Sequence, residues 1–514
     1  MHGPADTLGA ARRHLLRALS LAGLLLAVAC GTPSTAGANA FQESIVQDDR
    51  LLLYSGDTVR EETLDELQAI GADTIRAFAS WSAIAPNTSS TTRPAFDAAN
   101  PAAYPAGAWD PFDDLVRSVS RRGLRMLLTP TSPIPAWASE CRASVAVRRT
   151  CSPNPTEYGR FVIALALRYS GSYRDENQGE NVLPRVSRWA IWNEPNLATW
   201  LSPQYVVRGR TLVPASAYRY RLLAAAAIGA LRAAGHGSDL ITIGETGPIG
   251  HIAGPLSRRP VATAEFFRGV FCIDRFGRSL TGLASLQLGC RRPTFLAASG
   301  IAHHPYVQGG SRSPLTPARF DEIHISSVSR LKAIMAQAAA RGRIRRGLGI
   351  YYTEFGFQTR PPDRVLGVPL AVQASYLNQS EYIAFRDPAI RGVGQYLLRD
   401  DPGLSGFQSG LRFINGASKP GLHAYRFPIW VVRSGIFVTV FGQIRAAADG
   451  TPGTIRVQVR LPGRPFTTYR TVQPNRKGFV LVRLRSRRGR WRLYWEPANG
   501  DPVLISRETQ EAPR

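Results

Sequence analysis

The sequence predicts an α/β protein in which a parallel (β/α)8 barrel, the TIM-barrel architecture, is followed by a small C-terminal β-sandwich-like domain. From about residue 40, short apolar strands alternate with amphipathic helices, and this alternation is typical of βαβ units around a parallel sheet. Near residue 428 the pattern changes to short alternating segments only. At 514 residues the chain is too long for one ordinary core, whereas a barrel of about 250 residues or more plus an accessory domain accounts for it.

Eight segments of the first region have the composition and length of buried parallel strands, and eight is the number that closes a barrel. They are Arg50–Tyr54, Thr74–Ser80, Leu124–Thr129, Val186–Trp192, Leu240–Gly244, Gly300–His303, Leu348–Tyr352 and Gly392–Leu398. An open doubly wound sheet is the alternative, but such a sheet usually carries a glycine-rich nucleotide-binding turn after its first strand. The sequence has no such turn there, which favours the barrel.

Amphipathic segments fill the intervals between these strands. In the first of them Leu64, Leu67 and Ile70 recur every three residues and so form one face of a helix. The predicted helices are Glu61–Ile70, Asp110–Arg121, Tyr158–Tyr169, Ala215–Ala234, Phe320–Arg341 and Leu370–Phe385. The barrel is therefore expected to span residues 41–428.

Residues 1–40 have the features of an export signal. A basic region around Arg12 and Arg17 precedes the apolar run Leu21–Ala29, which is too short for a membrane span. Cleavage after Ala40 would release a secreted, extracytoplasmic protein. The alternative is a lipoprotein signal that ends at Cys30, with anchoring at the cell surface, although the usual leucine three residues before the cysteine is absent. Any contact with a membrane is expected only through that anchor.

Four further cysteines lie in two pairs that are close in sequence, Cys141 with Cys151 and Cys272 with Cys290. An even number of cysteines in an exported protein favours disulfide bonds, and pairing within each local couple is the leading arrangement among three. Free buried thiols are the alternative. The spacing lacks the C-x-x-C form of zinc and redox sites.

The chain is strongly basic, with a formal net charge of +26 and only three lysines, Lys332, Lys419 and Lys477. A basic surface attracts acidic polymers, so an acidic cell-wall polymer is a candidate partner. The alternative is that the arginine content reflects the composition of the source and no dedicated binding surface. No nucleic-acid-binding motif accompanies the charge, and nucleic acid is not expected as a partner.

Residues 429–506 are predicted to form the β-sandwich-like accessory domain, and residues 507–514 a disordered tail. Turn residues such as Asp449-Gly450 separate the strand candidates. These are Ile436–Gly442, Thr454–Leu461, Thr467–Val472, Gly478–Leu484 and Arg490–Trp495. The domain carries many arginines between residues 483 and 492, so it is a candidate for carbohydrate or wall binding, although structural support of the barrel is the favoured role.

Two glutamates lie two residues beyond the ends of predicted strands. Glu194 lies in Trp189–Asn196, where an apolar run stops at Asn193, and Glu354 follows Leu348–Tyr352. Barrel enzymes carry their chemistry at the carboxyl ends of the strands. Glycoside hydrolysis requires two carboxyl groups that flank one bond, one protonated and one ionised, and this pair meets the requirement.

With the eight-strand plan, Asn193-Glu194-Pro195 and Thr353-Glu354-Phe355-Gly356 resemble the clan A retaining glycoside hydrolases, especially families 5 and 39 and their cellulase-like relatives. The resemblance covers roughly Asp49 to Tyr425. It implies that Glu194 is the acid/base, that Glu354 is the nucleophile, and that Asn193 binds the sugar 2-hydroxyl.

The same resemblance implies supporting roles for three more residues. Arg76 would keep the nucleophile ionised, and Tyr306 would contact it within a His-x-Tyr pattern that begins at His304. Of the adjacent His303 and His304, only one should face the barrel mouth, and His304 is favoured. Glu245, which follows the fifth strand, is expected to form a structural salt bridge only.

Aromatic rings at the mouth are candidates for stacking on sugars, although aromatics at strand ends more often belong to the core. The candidates are Trp81, Trp137, Tyr396, Trp192, Trp200 and Phe355. The family often places a tryptophan after strand eight, and this chain has Tyr396 in that region. The usual substrate preference of the clan is therefore not transferred to it.

The predicted function is that of an exported retaining glycosidase that hydrolyses O-glycosidic bonds in a polysaccharide or oligosaccharide by double displacement, without metal or cofactor. A noncatalytic glycan-binding or wall-binding protein on a barrel scaffold and a transglycosidase are the alternatives. The sequence specifies neither the sugar, the linkage, the oligomeric state nor internal versus terminal cleavage.

Overall fold

The computed structural model describes residues 41–513 except 178, 180, 251, 308–309, 446–452, 498–499 and 501. Within this part of the chain, eight parallel strands close into a barrel in which each strand pairs with its neighbours in sequence and the last pairs with the first. They are β1 Glu43–Gln47, β2 Thr74–Ser80, β3 Arg125–Thr131, β4 Arg188–Ala190, β5 Leu240–Thr246, β6 Gly300–His303, β7 Gly349–Tyr352 and β8 Ile390–Tyr396. The predicted barrel is confirmed. The export signal and Cys30 lie outside the described residues.

Helices surround the barrel in the order that the sequence predicts. The described α-helices are Asp49–Leu53, Asp57–Ala69, Trp81–Ile84, Asp110–Arg121, Val145–Arg148, Pro155–Arg168, Ala215–Ala233, Thr263–Phe271, Gly282–Gln287, Val328–Ala340, Leu370–Phe385 and Pro420–Arg426. Two short ladders join Val206–Arg208 to Thr211–Val213 and Thr359–Arg360 to Val368–Pro369. The buried faces of the helices pack against the strands in one continuous apolar core.

The prediction for the first strand is wrong. The strand is Glu43–Gln47, and most of the segment predicted as a strand, Arg50–Tyr54, belongs to the helix Asp49–Leu53. Asp48 caps this helix, because its side chain accepts a hydrogen bond from the N–H of Leu51 at 3.2 Å. Leucine is a strong helix former, so an apolar run of three leucines adopts a helix once a cap precedes it.

The C-terminal region forms two four-stranded sheets that pack face to face over their own apolar core. Its strands are β9 Ile429–Ser434, β10 Phe437–Gln443, β11 Ile455–Arg460, β12 Thr467–Val472, β13 Phe479–Arg485, β14 Arg490–Trp495, β15 Leu504–Ile505 and β16 Ala512–Pro513. The sheet orders are β13-β10-β9-β16 and β12-β11-β14-β15. The predicted β-sandwich-like domain is confirmed, and the structure adds β9, β15 and β16. The predicted turn at Asp449-Gly450 lies outside the described residues.

The sandwich packs directly on the barrel. Phe441 and Phe479 lie against Phe385 of a barrel helix, with ring centroids 5.0 and 4.8 Å away. Beside them, Nη2 of Arg445 and Oε1 of Glu381 are 2.9 Å apart. The favoured role of structural support fits this apolar and ionic contact.

The expected disordered tail is instead part of the sandwich. Ala512 pairs with Val432 as the edge strand β16. The side chain of Arg507 reaches the barrel, where it donates a hydrogen bond to Asn378 at 2.7 Å. The polar composition of the tail therefore reflects ion pairing and hydrogen bonding at the surface of the sandwich.

Both predicted disulfides are present, Cys141 with Cys151 and Cys272 with Cys290. Each closes a loop that follows a barrel strand, and such cross-links restrain long insertions. Among the described residues, no helix is long and apolar enough to cross a membrane.

Candidate active site

The candidate site lies at the carboxyl ends of the barrel strands, where five charged side chains converge. Arg76 extends from β2, Glu194 from the segment after β4, Glu245 from β5, His304 from the segment after β6, and Glu354 from the segment after β7. Parallel strands in a closed barrel bring their carboxyl ends to one rim, so residues far apart in sequence meet there.

The backbone around Glu194 departs from strand geometry soon after β4 ends. Trp192 and Glu194 have φ angles of 69° and 36°, the left-handed region that side chains rarely adopt. The N–H of Glu194 donates to the carbonyl oxygen of Glu245 at 2.8 Å, which fixes this turn to the neighbouring strand. The predicted strand Val186–Trp192 is accordingly shorter, and the reversal aims the carboxyl group of Glu194 at the mouth.

Glu245 owes its direction to a β-bulge. The pairing of β5 with β6 shifts between Gly244 and Thr246, and Glu245 itself has a φ of 47°. Gly244 permits the bulge, because a Cβ there would lie 2.5 Å from the carbonyl oxygen of Ala302. Bulges re-aim side chains next to functional sites, and this one turns Glu245 toward the barrel mouth.

Arg76 connects the carboxylates. Its Nη1 donates to Oε1 of Glu354 and its Nη2 to Oε2 of Glu245, each at 2.6 Å, and Nη2 also donates to Oδ1 of Asn193 at 2.8 Å. A further bond joins it to Gln47. Burial alone would lower the pKa of Arg76, but Glu245 and Glu354 raise it on balance. Arg76 is thus a permanent cation that is hydrogen-bonded to two carboxylates. The predicted proximity of Arg76 to Glu354 is observed.

His304 lies among all three glutamates. Its Nδ1–H donates to Oε1 of Glu194 and its Nε2–H to Oε2 of Glu245, both at 3.1 Å, while Oε2 of Glu354 is 3.6 Å from Nδ1. Burial opposes its charge, but Glu354, Glu194 and Glu245 outweigh burial and raise the pKa of His304 to about 9. His304 is therefore a cation at neutral pH.

The adjacent histidine has the opposite environment. His303 points into the barrel wall, where its ring contacts Thr246 and the carbonyl oxygen of Ile323. Burial lowers its pKa to about 3, so His303 is neutral. The expectation that only one of the two faces the mouth agrees with this arrangement, and the one at the mouth is His304.

Glu354 and Glu194 keep contact with solvent at the mouth, with side chains 8% and 16% exposed. The hydroxyl of Tyr306 donates to Oε2 of Glu354 at 3.4 Å, and burial raises the pKa of Tyr306 well above its ordinary value, so it remains a donor. One carboxylate oxygen of Glu194 and one of Glu354 lie within 4.8 Å of each other. The two carboxyl groups can therefore act on one bond.

Glu245 does more than the isolated salt bridge that the sequence suggests. It is fully buried, and Oε2 accepts hydrogen bonds from Arg76, His304 and, at 2.9 Å, the hydroxyl of Thr353. Burial would raise the pKa of Glu245, but Arg76 and His304 lower it on balance. Glu245 is thus an anion that holds both cations of the site.

Two further polar residues of this network, Gln47 and Asp49, are not identified by the sequence analysis. Gln47 at the end of β1 bonds both Arg76 and Asp49 through its side-chain amide, and Asp49 accepts a bond from the N–H of Phe78 at 2.7 Å. The misassigned first strand concealed them. With β1 in its correct position, Gln47 is a polar residue at a strand end, which is the same signal that identifies Glu194.

Two of the predicted aromatic platforms belong to the core. Trp81 is 1% exposed and stacks on Phe161, with ring centroids 5.5 Å apart, and Trp137 packs edge-on against Trp81. Direct sugar contact is excluded for Trp81 in this conformation. Trp192 and Phe355 are buried as well.

Two aromatic pairs remain as candidates near the charged site; Phe407 is exposed, and the other three rings are partly buried. Tyr396 lies edge-on to Phe407, and burial, with a further contribution from the charge of Glu354, raises the pKa of Tyr396. In the second pair, the ring centroids of Trp200 and Phe78 are 5.2 Å apart. The Cζ atom of Arg76 lies 4.9 Å from the centroid of the Phe78 ring. The sequence did not identify Phe78.

Glu194, His304 and Glu354 also have the composition of a metal-ligand set. Within the described residues, however, both ring nitrogens of His304 already donate to carboxylates, and its raised pKa of about 9 keeps it protonated. A metal ion requires the neutral imidazole, so it would have to displace this proton. The donor set does not fit a resident metal well.

Neither a scan against protein-family models nor a search of curated proteins finds a match for this chain. Solved structures of glycosidases are among its structural neighbours. A family 39 glycoside hydrolase from the gut symbiont Bacteroides cellulosilyticus is 14% identical over 88% of this chain and 82% of its own, with a TM-score of 0.47. A β-glycosidase from the hyperthermophile Thermosphaera aggregans is 15% identical over 77% and 92%, with a TM-score of 0.44. An exo-β-1,4-mannosidase from an Opitutaceae bacterium is 16% identical over 77% and 61%, with a TM-score of 0.40.

Proposed function

We propose that the protein is an exported retaining glycoside hydrolase in which Glu354 is the nucleophile and Glu194 the acid/base. The observation that carries the proposal is that one carboxylate oxygen of Glu194 and one of Glu354 lie within 4.8 Å of each other. Retaining enzymes have carboxyl groups about 5 to 5.5 Å apart, whereas inverting enzymes separate them by about 6.5 to 9.5 Å to admit a water molecule. The close spacing favours retention.

The partners of each glutamate support the assignment of roles. Glu354 accepts bonds from Arg76 and Tyr306, and donors of this kind stabilise and orient a carboxylate that must attack as an anion. Glu194 has no arginine partner among the described residues and is the more exposed of the two. It is therefore the group that can exchange protons with a leaving group and with water.

The reaction then proceeds in two displacements. A carboxylate oxygen of Glu354 bonds to the anomeric carbon while the bond to the leaving oxygen breaks, and that oxygen takes the proton of Glu194. In the second step a water oxygen attacks the same carbon, Glu194 takes a proton from the water, and the ester bond to Glu354 breaks. The side-chain oxygen of Asn193 accepts a hydrogen bond from Arg76, which leaves its amide N–H groups as the expected donors to the sugar 2-hydroxyl.

Glu354→Gln tests the assignment, with hydrolysis measured over a broad panel of glycosides and glycans and the anomeric configuration of the first product followed by NMR. The wild type is expected to retain configuration, and the variant to lose activity by about 10⁴-fold or more, since a missing nucleophile removes the covalent route. Undiminished hydrolysis by the variant, or inversion by the wild type, contradicts the proposal.

Glu381→Gln is the matched control. Glu381 is also a buried glutamate that pairs with an arginine, but it lies at the contact with the sandwich. Its loss is expected to lower stability and to leave turnover per folded molecule unchanged. Glycan binding without turnover by the intact wild type would favour the noncatalytic alternative, and transfer to added sugar acceptors would favour a transglycosidase.

Export is the remaining part of the proposal. Two disulfides in the described chain favour an oxidising compartment. Fractionation with mass spectrometry of the mature amino terminus distinguishes cleavage after Ala40 from a lipid at Cys30. A full-length cytoplasmic product would contradict both.

A further inference from the structure

A cavity of about 680 Å³ opens on the C-terminal sandwich, away from the candidate active site. It lies between the segment that follows β11, the hairpin that enters β14, and the end of the chain. Five arginines line it, Arg433, Arg460, Arg464, Arg488 and Arg490. We refer to it as the arginine cavity, and its volume is typical of ligand sites.

The carboxylates around the arginine cavity leave most of its charge uncompensated. Oε2 of Glu508 lies 2.5 Å from Nη2 of Arg460 and 3.9 Å from Nη1 of Arg490. Glu511 instead accepts hydrogen bonds from Ser486, the Arg488 N–H and the Trp491 indole, at 2.6, 2.9 and 3.1 Å. Five arginines against two glutamates leave a charge of +3 at this place.

Three of the five guanidinium groups, those of Arg433, Arg464 and Arg488, form no ion pair with any described residue. Buried arginines such as Arg168 and Arg76 are paired with carboxylates, whereas these three exposed guanidinium groups are not. Unpaired cations around a concave surface concentrate the positive field there.

The backbone under the arginine cavity is built to hold it open. Arg488 has a φ of 51°, and its N–H bonds to Glu511 and to Oγ of Ser486 hold this left-handed conformation. Gly489 follows, and a Cβ there would lie 2.6 Å from the carbonyl oxygen of Arg460. Only glycine allows the two segments to approach so closely, which brings Arg460 and Arg488 to the same cavity.

The lining also restricts the class of ligand. No aromatic side chain is among the described lining residues, whereas neutral sugars and nucleobases are commonly bound by stacking on aromatic rings. Guanidinium groups form paired, charge-assisted hydrogen bonds with carboxylate and phosphate oxygens. Recognition here must therefore depend on negative charge.

We infer that the arginine cavity binds an oligosaccharide or polymer segment that carries carboxylate or phosphate groups. Occupation would tether the barrel to an acidic glycan while leaving the strand-end glutamates free. The inference does not depend on hydrolysis, since the site lies wholly in the sandwich.

Calorimetric titration of the full chain with three probes tests the inference. The probes are an oligogalacturonate for carboxylates, a poly(glycerol phosphate) oligomer for phosphates, and a neutral cello-oligosaccharide. At least one anionic probe is expected to bind 10-fold or more tightly than the neutral probe. The triple variant R433Q/R464Q/R488Q is expected to weaken that binding at least 10-fold and to melt close to the wild type. Preference for one anionic probe identifies which acidic group is recognised.

The matched control, R470Q/R476Q/R485Q, removes the same charge from exposed arginines of the sandwich that lie outside the arginine cavity. It is expected to retain most of the affinity. Equal loss in both triple variants, equal binding of the neutral probe, or equally tight binding of a single-stranded oligonucleotide of the same charge would overturn the inference, because each indicates binding by net charge alone.

Discussion

Replacing Glu245 by glutamine removes one charge from the centre of the candidate site and leaves its shape nearly unchanged. In the wild type, Oε2 of Glu245 accepts bonds from Arg76 at 2.6 Å and from His304 at 3.1 Å. Hydrogen bonds to charged groups contribute about 1.5 to 3 kcal/mol each, and the amide oxygen of glutamine replaces them in part. We expect the free energy of unfolding to fall by about 2 to 4 kcal/mol.

The pH dependence of the free energy of unfolding shows whether His304 is the partner that Glu245 stabilises. The pKa of His304 is raised from 6.5 to about 9, so protonation of His304 stabilises the fold fully below pH 6.5, and this contribution is lost as the pH rises through 9. At 1.36 kcal/mol per pKa unit, the difference corresponds to about 3 kcal/mol. An opposite charge nearby shifts a pKa by about 1 to 3 units, so E245Q should lower the pKa of His304 to about 8.

Denaturant unfolding of both proteins from about pH 6 to about pH 10 measures the effect. The wild type should lose stability up to pH 9, whereas the E245Q curve should flatten about one pH unit earlier. In the control E381Q, the stability curve should keep the wild-type slope between about pH 7 and pH 9, since the pKa of Glu381, which burial raises to about 6, lies below that interval. Identical slopes for wild type and E245Q between about pH 7 and pH 9 would refute the assignment of His304 as the charged partner of Glu245.

Two further predictions concern packing against the site and the barrel rim. A Cβ on Gly247 would lie 2.9 Å from Cδ1 of Leu197 and 3.0 Å from Oε1 of Glu194, so G247A should displace both side chains and reduce kcat/KM by about 10- to 100-fold. Unchanged kcat/KM would show that the carboxylate tolerates the methyl group. Nζ of Lys419 lies 2.6 Å from Oδ1 of Asp400 in a buried ion pair. K419M leaves Asp400 as an unpaired buried charge and should lower the free energy of unfolding, measured with denaturant, by about 3 to 5 kcal/mol. The double variant K419M/D400L should recover most of that loss. A double variant as unstable as the single one would argue against an unpaired charge as the cause.

Periodicity in the sequence predicts the scaffold well. The strand Thr74–Ser80 and the helices Asp110–Arg121 and Leu370–Phe385 have the predicted bounds. The first two combine an apolar pattern with clear polar ends, whereas Leu370–Phe385 follows Pro369, which cannot continue a helix backwards, and stops before Arg386. The first strand fails for a local reason. The cap at Asp48 decides between helix and strand for the leucine run that follows, and it does so through one hydrogen bond.

The site is predictable to the extent that it follows strand ends. Glu194 and Glu354 are the second residues after apolar runs, and the structure brings them together. The role of Glu245 is not readable in this way, because its direction depends on a bulge that breaks the alternation of β5. Its bond to Arg76 also spans 169 positions in the sequence, a distance over which periodicity carries no information.

The charges of the five converging side chains give Glu245 a role in the proposed mechanism. The proposed mechanism starts with Glu194 neutral and Glu354 anionic; with anionic Glu245 and the cations Arg76 and His304, the charges then sum to zero. In the proposed covalent intermediate Glu354 is a neutral ester and Glu194 is an anion, so the sum is again zero. A net charge in a buried site is energetically unfavourable, and a constant charge sum avoids this penalty along the reaction path. Without the charge of Glu245, both states carry one surplus positive charge, and this charge opposes protonation of Glu194. We therefore expect E245Q to impair proton donation by Glu194 more than substrate binding. In steady-state kinetics kcat should fall while KM changes little.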